Sequence, residues 1–166
     1  EITSFFSDVA GFTSVAEGLA PEALVALLND YLTEMTDIIL ASGGTLDKYV
    51  GDAIVAFWNA PSDQPDHALR ACRAALRCRS RLAEIGPAFR ERYGRTVAMR
   101  IGVNSGPAVV GNMGSGRRFD YTAMGDAVNL ASRLEGACKQ YGVGLLVGEE
   151  THRRVRDELA AREVDL

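Results

Sequence analysis

The chain has 166 residues, 47% hydrophobic and 24% charged, which is enough for one domain whose core needs no disulfide or metal staple. A formal net charge of −4 argues against broad nucleic-acid binding, which needs a surplus of Lys and Arg to offset phosphate repulsion. No apolar run reaches the roughly 20 residues of a membrane-spanning helix, and acidic Glu1 leads into a strand-like segment rather than a signal peptide. Cys72, Cys78 and Cys138 show neither CxxC pairing nor metal-type spacing. They read as buried or idle thiols, which favours a reducing, cytoplasmic setting. A start without Met, already inside a strand, predicts that the chain is a piece of a longer protein.

In chain order, Ile2 to Phe6 mixes β-branched and aromatic residues and predicts a short buried strand ending at Ser7-Asp8. Ala10-Gly11-Phe12-Thr13 turns the chain toward a helix. Pro21 suits a first helical position, and Leu24, Leu27, Leu28, Tyr31, Leu32, Met35 and Ile39 keep helical spacing up to a stop at Gly43-Gly44. Thr45 to Val50 and Ala53 to Trp58 read as two strands joined by Gly51-Asp52, a type II′ hairpin turn with Asp52 at its tip.

From Asp66 a second helix is expected to turn Ala68, Leu69, Cys72, Ala75, Leu76 and Leu82 inward, with Arg70, Arg73, Arg77 and Arg81 outward. His67 and His152 stand alone on helices and read as solvated or capping residues. Thr96 to Val103 predicts a strand, with Ala108 to Val110 as its antiparallel neighbour. Gly111-Asn112-Met113-Gly114-Ser115-Gly116 reads as a hairpin turn, followed by a short strand over Phe119 to Thr122. A helix over Asp126 to Tyr141, a strand over Val143 to Val147 and a helix over Glu149 to Ala160 complete the chain. The order β-α-β-β-α-β is the split βαβ pattern. The expected class is α+β, a ferredoxin-like core with extra strands and helices: a mostly antiparallel sheet with helices on one face. No linker or repeat divides residues 1–166.

Asp8 ends the first strand and Asp52 sits on the hairpin beside it, so two carboxylates can meet at one end of the sheet. Such a pair suits hard divalent cations, and two ions about 4 Å apart can activate an attacking oxygen and steady leaving phosphate oxygens. From spacing alone, a helix-capping Asp8 and a plain turn residue at Asp52 remain the open alternative. No GxxxxGK[ST] phosphate loop occurs. Gly43-Gly44-Thr45 also lacks the acidic-aromatic continuation of palm-type enzymes that make cyclic dinucleotides.

Three stretches carry more. Phe6-Ser7-Asp8-Val9-Ala10-Gly11-Phe12-Thr13, Leu46-Asp47-Lys48-Tyr49-Val50-Gly51-Asp52-Ala53, and Phe119 through Glu135 with its Gly125-Asp126-Ala127-Val128-Asn129-Leu130-Ala131-Ser132-Arg133 run strongly resemble the class III adenylyl and guanylyl cyclase catalytic domain. Met99-Arg100-Ile101-Gly102-Val103 followed by Ser105-Gly106 is similar to that family too. The resemblance covers essentially the whole chain and implies a palm-like cyclase homology domain.

It also implies roles. Asp8 and Asp52 match the metal-holding aspartates, with the Val9 carbonyl as a further ligand, for two divalent cations, Mg²⁺ or Mn²⁺. Gly11-Phe12-Thr13 and Arg100 match phosphate-binding positions. Asn129 and Arg133 match the pair that orients the ribose and meets charge on phosphorus; their i, i+4 spacing puts both on one helix face, and a guanidinium fork suits phosphate oxygens. Lys48 and Thr122 match the base-selecting positions in a threonine-bearing, adenine-type branch for which bicarbonate stimulation is expected. Lys can only donate, and adenine N1 accepts.

The implied activity is adenylate cyclase, ATP to 3′,5′-cyclic AMP and pyrophosphate, in a head-to-tail homodimer whose sites are shared. Asp8, Lys48 and Asp52 are grouped in one half and Thr122, Asn129 and Arg133 in the other. Guanylate cyclase, or a non-catalytic nucleotide-binding module on the same fold, are the alternatives. The stop at Asp165-Leu166 falls before a region where the family often places a further phosphate-binding lysine, which predicts weakened phosphate affinity.

Overall fold

The computed structural model of the chain describes residues 1–164, so the expected domain end at Asp165-Leu166 lies outside the described residues. Strand β1 (Ile2–Val9) is the middle of a five-stranded sheet in the order β2-β3-β1-β4-β7. The hairpin β2 (Thr45–Val50) and β3 (Ala53–Trp58) forms where it is predicted. β3 and β4 (Met99–Gly106) both pair antiparallel with β1. Helices α2 (Pro21–Ala41) and α3 (His67–Tyr93) make the two crossovers, and β3 inserts between β1 and β2. This is the split βαβ core of the expected α+β class. A short α1 (Phe12–Ala16) precedes α2, and β7 (Leu145–Val147) and α5 (Glu149–Val155) close the described chain.

Alternation along β1 decides what lies on each face. Phe5 and Val9 join Ile101 and Val103 against Leu27, Tyr31, Met35 and Ile39 of α2 and Ala71, Ala75 and Cys78 of α3 in the main core. Burial pushes the Cys72 and Cys78 thiols up to about 12, as expected of inert core cysteines. The other face is not bare, which corrects the expectation of helices on one side only. There α4 (Asp126–Tyr141) packs on β1 and β4, and Ile2, Phe57, Ala123 and Val128 form a second, smaller core.

That approach is possible because β4 carries glycine on this face. A Cβ at Gly102 would collide with the Ala131 carbonyl and the Glu135 amide of α4, and one at Gly106 would lie 2.6 Å from the Ala127 Cβ. Asn104, between them, donates its side-chain amide to the Ala127 carbonyl at 2.9 Å. Backbone cannot yield as a side chain can, so Gly102→Ala is expected to cost roughly 3 kcal/mol and lower Tm by roughly 10 °C, measured by thermal unfolding.

Several sequence expectations shift. Ala108 to Val110 does not pair with the preceding strand, because both edges of β4 are taken by β1 and by β7, which joins parallel. Instead β5 (Val109–Ser115) pairs with β6 (Arg118–Met124) as a separate ribbon. The glycine-rich segment 111–115 is therefore strand, and only Gly116-Arg117 turns. β4 starts three residues later than predicted, at Met99, where β1 supplies its last partner, Val9. α5 stops at Val155 rather than Ala160, and Leu76 faces out at 41% exposure.

His67 is buried rather than solvated. Arg154 donates to its Nε2 at 3.3 Å, so Nδ1 carries the proton and donates to Thr3 Oγ1 at 2.6 Å. The chain continues from Thr3 to Ser105 at 2.8 Å and on to Thr151 at 2.9 Å. Burial and then Arg154 lower the His67 pKa, which keeps the ring neutral as this network requires.

Candidate active site

The end of β1 gathers the acidic residues. Gly51 turns the β2–β3 hairpin at φ +61°, while Asp52 keeps an ordinary negative φ, the sign pattern of a type II′ turn. Asp52 Oδ2 then accepts the Val9 N–H at 2.8 Å, the amide directly after Asp8. Asp8 and Asp52 are thus brought to one strand end, where the Val9 carbonyl also lies. Asp8 Oδ1 is buried and receives no hydrogen bond. A buried carboxylate oxygen without a donor is costly, and its free lone pairs suit a cation.

Asp8 pairs in register with Arg100 on β4. Glu135 of α4 reaches the same spot: burial first, and then Asp8, push its carboxyl up to about 8, with Arg100 pulling the other way. At neutral pH Glu135 carries a proton it can donate to Asp8, which relieves the like-charge pair. On the opposite face the Tyr31 hydroxyl and Ser7 Oγ are buried without partners. Burial, then Cys78, with smaller contributions from Asp52 and Asp8, hold the Tyr31 phenol far above its ordinary range.

Among the described residues no three His, Cys, Asp or Glu side chains are arranged to hold a metal. Two aspartates at a strand end nevertheless fit Mg²⁺-type chemistry, in which one or two carboxylates bind and substrate phosphates complete the shell.

Gly11 follows at φ +61° and ψ +40°, in the left-handed region, and starts α1 at Phe12. A residue with a Cβ is strained there, whereas glycine is not. The first amides of α1, Gly11-Phe12-Thr13, are left free of intrahelical partners beside the aspartates.

The base-reading candidates sit elsewhere. Lys48 is exposed on β2, and the register slips between Leu46 and Lys48, making Asp47 a bulge. The bulge turns the Asp47 side chain inward to 3% exposure, where Thr122 of β6 donates its hydroxyl to Oδ2 at 2.5 Å. The Lys48 ammonium lies 3.6 Å from the other oxygen, Oδ1. Lys48 therefore belongs with Thr122 and not with the aspartates, a regrouping of the expected halves.

Asn129 and Arg133 are both exposed on α4. At about 100° per residue they lie about 40° apart, whereas Arg133 and Glu135 lie about 200° apart. Glu135 faces Asp8, so Arg133 points away from the aspartates of its own chain. A groove of about 930 Å³ between α3, the start of β4 and the end of α4 opens on Arg100, but neither aspartate lines it. One chain assembles Asp8, Asp52 and Arg100 in one place and Lys48 with Thr122 in another; it does not bring Asn129 and Arg133 to the aspartates. Sequence reasoning missed Asp47 and Glu135 as site residues. Their signal was present only as acidic neighbours of Lys48 and Arg133.

Residues 1–164 match the family model described as adenylate and guanylate cyclase catalytic domain. Adenylate cyclase 1 of Rhizobium meliloti (strain 1021) is 40% identical over 162 residues, which is 98% of this chain but 24% of that enzyme. The chain thus spans about a quarter of the length of this curated relative. Among solved structures, the adenylyl cyclase CyaB from P. aeruginosa is 40% identical with a TM-score of 0.92, covering 97% of this chain and 83% of that one. The guanylyl cyclase Cya2 is 38% identical with a TM-score of 0.84, covering 92% and 77%.

Proposed function

The chain belongs to the adenylate and guanylate cyclase catalytic domain family, and from that premise we propose that it converts ATP to 3′,5′-cyclic AMP and pyrophosphate in a homodimer. The observation that carries this reading is the meeting of Asp8 and Asp52 at the end of β1, with Asp8 Oδ1 buried and undonated. Residues 1–166 act as one catalytic domain in this reading. Among the described residues no helix is long and apolar enough to cross a membrane.

The ribose 3′-oxygen forms a bond to the α-phosphorus, the bond to pyrophosphate breaks, and the 3′-hydroxyl gives up its proton. Asp8 and Asp52, with the Val9 carbonyl, would hold two divalent cations, Mg²⁺ or Mn²⁺. When bound, these would supply the positive charge that acidifies the 3′-hydroxyl and neutralises the triphosphate. The amides of Gly11-Phe12-Thr13 and the Arg100 guanidinium bind the phosphates. From the partner chain, Asn129 orients the ribose and Arg133 meets the charge that grows on the α-phosphoryl oxygens, where stabilisation raises turnover. Lys48 donates to adenine N1, and Thr122 accepts from the 6-amino group.

A dimer is supported by exposed apolar side chains on the β5–β6 ribbon and on α4. Val109 and Met124 are register partners on the ribbon at 68% and 59% exposure, and Phe119 and Leu130 are also exposed. Apolar surface of this kind marks an interface. Activation by bicarbonate belongs to the same proposal and rests on Thr122 alone.

Incubation with ATP or GTP and Mn²⁺, with products identified by mass, tests the function. Cyclic AMP and pyrophosphate are expected. Cyclic GMP alone would make the chain a guanylate cyclase, a reading kept in view by the likeness to Cya2, and nucleotide binding without product would make it a regulatory module.

A further inference from the structure

Building on the reading of Lys48 and Thr122 as the base-contacting pair, we propose that Asp47 sets the nucleotide preference by fixing the Thr122 hydroxyl as a hydrogen-bond acceptor toward the base. Asp47 does not touch the base itself; it is a positioning residue. It is the extra residue of the β2 bulge, and its side chain is almost wholly buried behind Thr122 and Lys48. Bulges re-aim side chains in this way.

The chemistry follows from counting protons. An ionised carboxylate can only accept, so at 2.5 Å the Thr122 hydroxyl must be the donor to Asp47 Oδ2. A hydroxyl has one proton. With that proton committed, Thr122 Oγ1 has only lone pairs left to offer a ligand. An acceptor there matches the 6-amino group of adenine and opposes the 6-oxo group of guanine. A threonine without this partner could rotate and serve either base.

The second carboxylate oxygen reinforces the pattern. Asp47 Oδ1 is buried with no hydrogen bond of its own and has the Lys48 ammonium 3.6 Å away. The ammonium is thereby held beside Thr122 as an obligate donor, which matches adenine N1 and opposes the N1–H of guanine. One buried carboxylate thus imposes an acceptor-next-to-donor pattern complementary to adenine alone.

The test is Asp47→Asn, nearly the same shape, assayed on the dimeric enzyme with ATP, GTP and purine riboside 5′-triphosphate, which lacks the 6-amino group. An amide can donate to Thr122 and release its proton toward the base. The ATP-to-GTP ratio of kcat/KM is expected to fall about tenfold, mainly through KM for ATP, the scale of one hydrogen bond to the base. Removing the 6-amino group should cost the unmodified enzyme about tenfold and Asp47→Asn much less. In a Thr122→Ala background the Asp47→Asn change should no longer alter the preference for the amino group.

A folded Asp47→Asn enzyme with unchanged selectivity and an unchanged 6-amino penalty overturns the proposal. Should that variant not fold, the unmodified enzyme decides: equal kcat/KM for ATP and purine riboside triphosphate overturns it too. No cyclic product from any nucleotide brings down the cyclase reading along with this one, whereas strong cyclic AMP formation with unmoved selectivity overturns this inference alone.

Discussion

An Asp8→Asn chain is expected to lose about a thousandfold or more of its turnover while keeping, or even raising, its Tm. The two halves of that expectation have one source. Asp8 Oδ1 is buried with no donor and faces the Glu135 carboxyl. In the fold alone this arrangement is a liability: a buried unsatisfied oxygen costs about 1–3 kcal/mol, and keeping the neighbouring Glu135 protonated adds to it. An Asn amide would donate to Glu135 and remove the conflict, yet it could not supply the negative charge that a divalent cation needs. Activity assays with Mg²⁺ and Mn²⁺, beside thermal unfolding of the same preparation, separate the effects. Turnover above about a tenth of the unmodified level would remove Asp8 from the cation site. A large fall in Tm would mean that the carboxylate serves the fold instead.

The second large effect is complementation between two inactive variants. Asp52→Ala removes a carboxylate from the strand-end cluster, and Arg133→Ala removes the guanidinium from the outer side of α4. Each alone should be nearly inactive. Arg133 lies about 200° around the helix from Glu135, which faces the chain's own Asp8, so in the proposed dimer the arginine serving a given pair of aspartates comes from the second copy. In an equal mixture, half the dimers are mixed, and each mixed dimer has one intact site and one carrying both lesions. Activity should therefore return to about a quarter of the unmodified level. A mixture as inactive as its components would mean that each chain builds its own site.

Much of this arrangement is legible in the chain itself. The 3.6-residue stripe over Leu27, Tyr31, Met35 and Ile39 is the buried stripe of α2, and α4 runs over Asp126–Tyr141 as periodicity predicts. Gly51-Asp52 marks the hairpin. These are local signals, each set by residues a few positions apart. What was not legible depends on distant partners. Ala108–Val110 looks like the return strand of a hairpin with β4, but β7, some forty residues on, takes that edge. His67 looks like a solvated histidine until Thr3 and Arg154 come round to bond both of its ring nitrogens. The bulge at Asp47 has no sequence mark either, since Asp in a strand usually signals a turn or an exposed edge.

The site followed the same rule. Each candidate residue could be named from its motif, but Lys48 was grouped with the aspartates rather than with Thr122, because only the packing of the separate β5–β6 ribbon against β2 brings the two together.

Where α4 meets β4 at Gly102, main chain lies on main chain with no cushion of side chains between them. Such a joint has nothing to compress and no alternative rotamers to switch between. Within one protomer, the stretch of α4 backbone that carries Arg133 is therefore fixed against β4 beside Asp8, like two jaws milled from a single block. In the proposed dimer, a change of rate would then come from the angle at which the two protomers face each other rather than from a sliding of this helix.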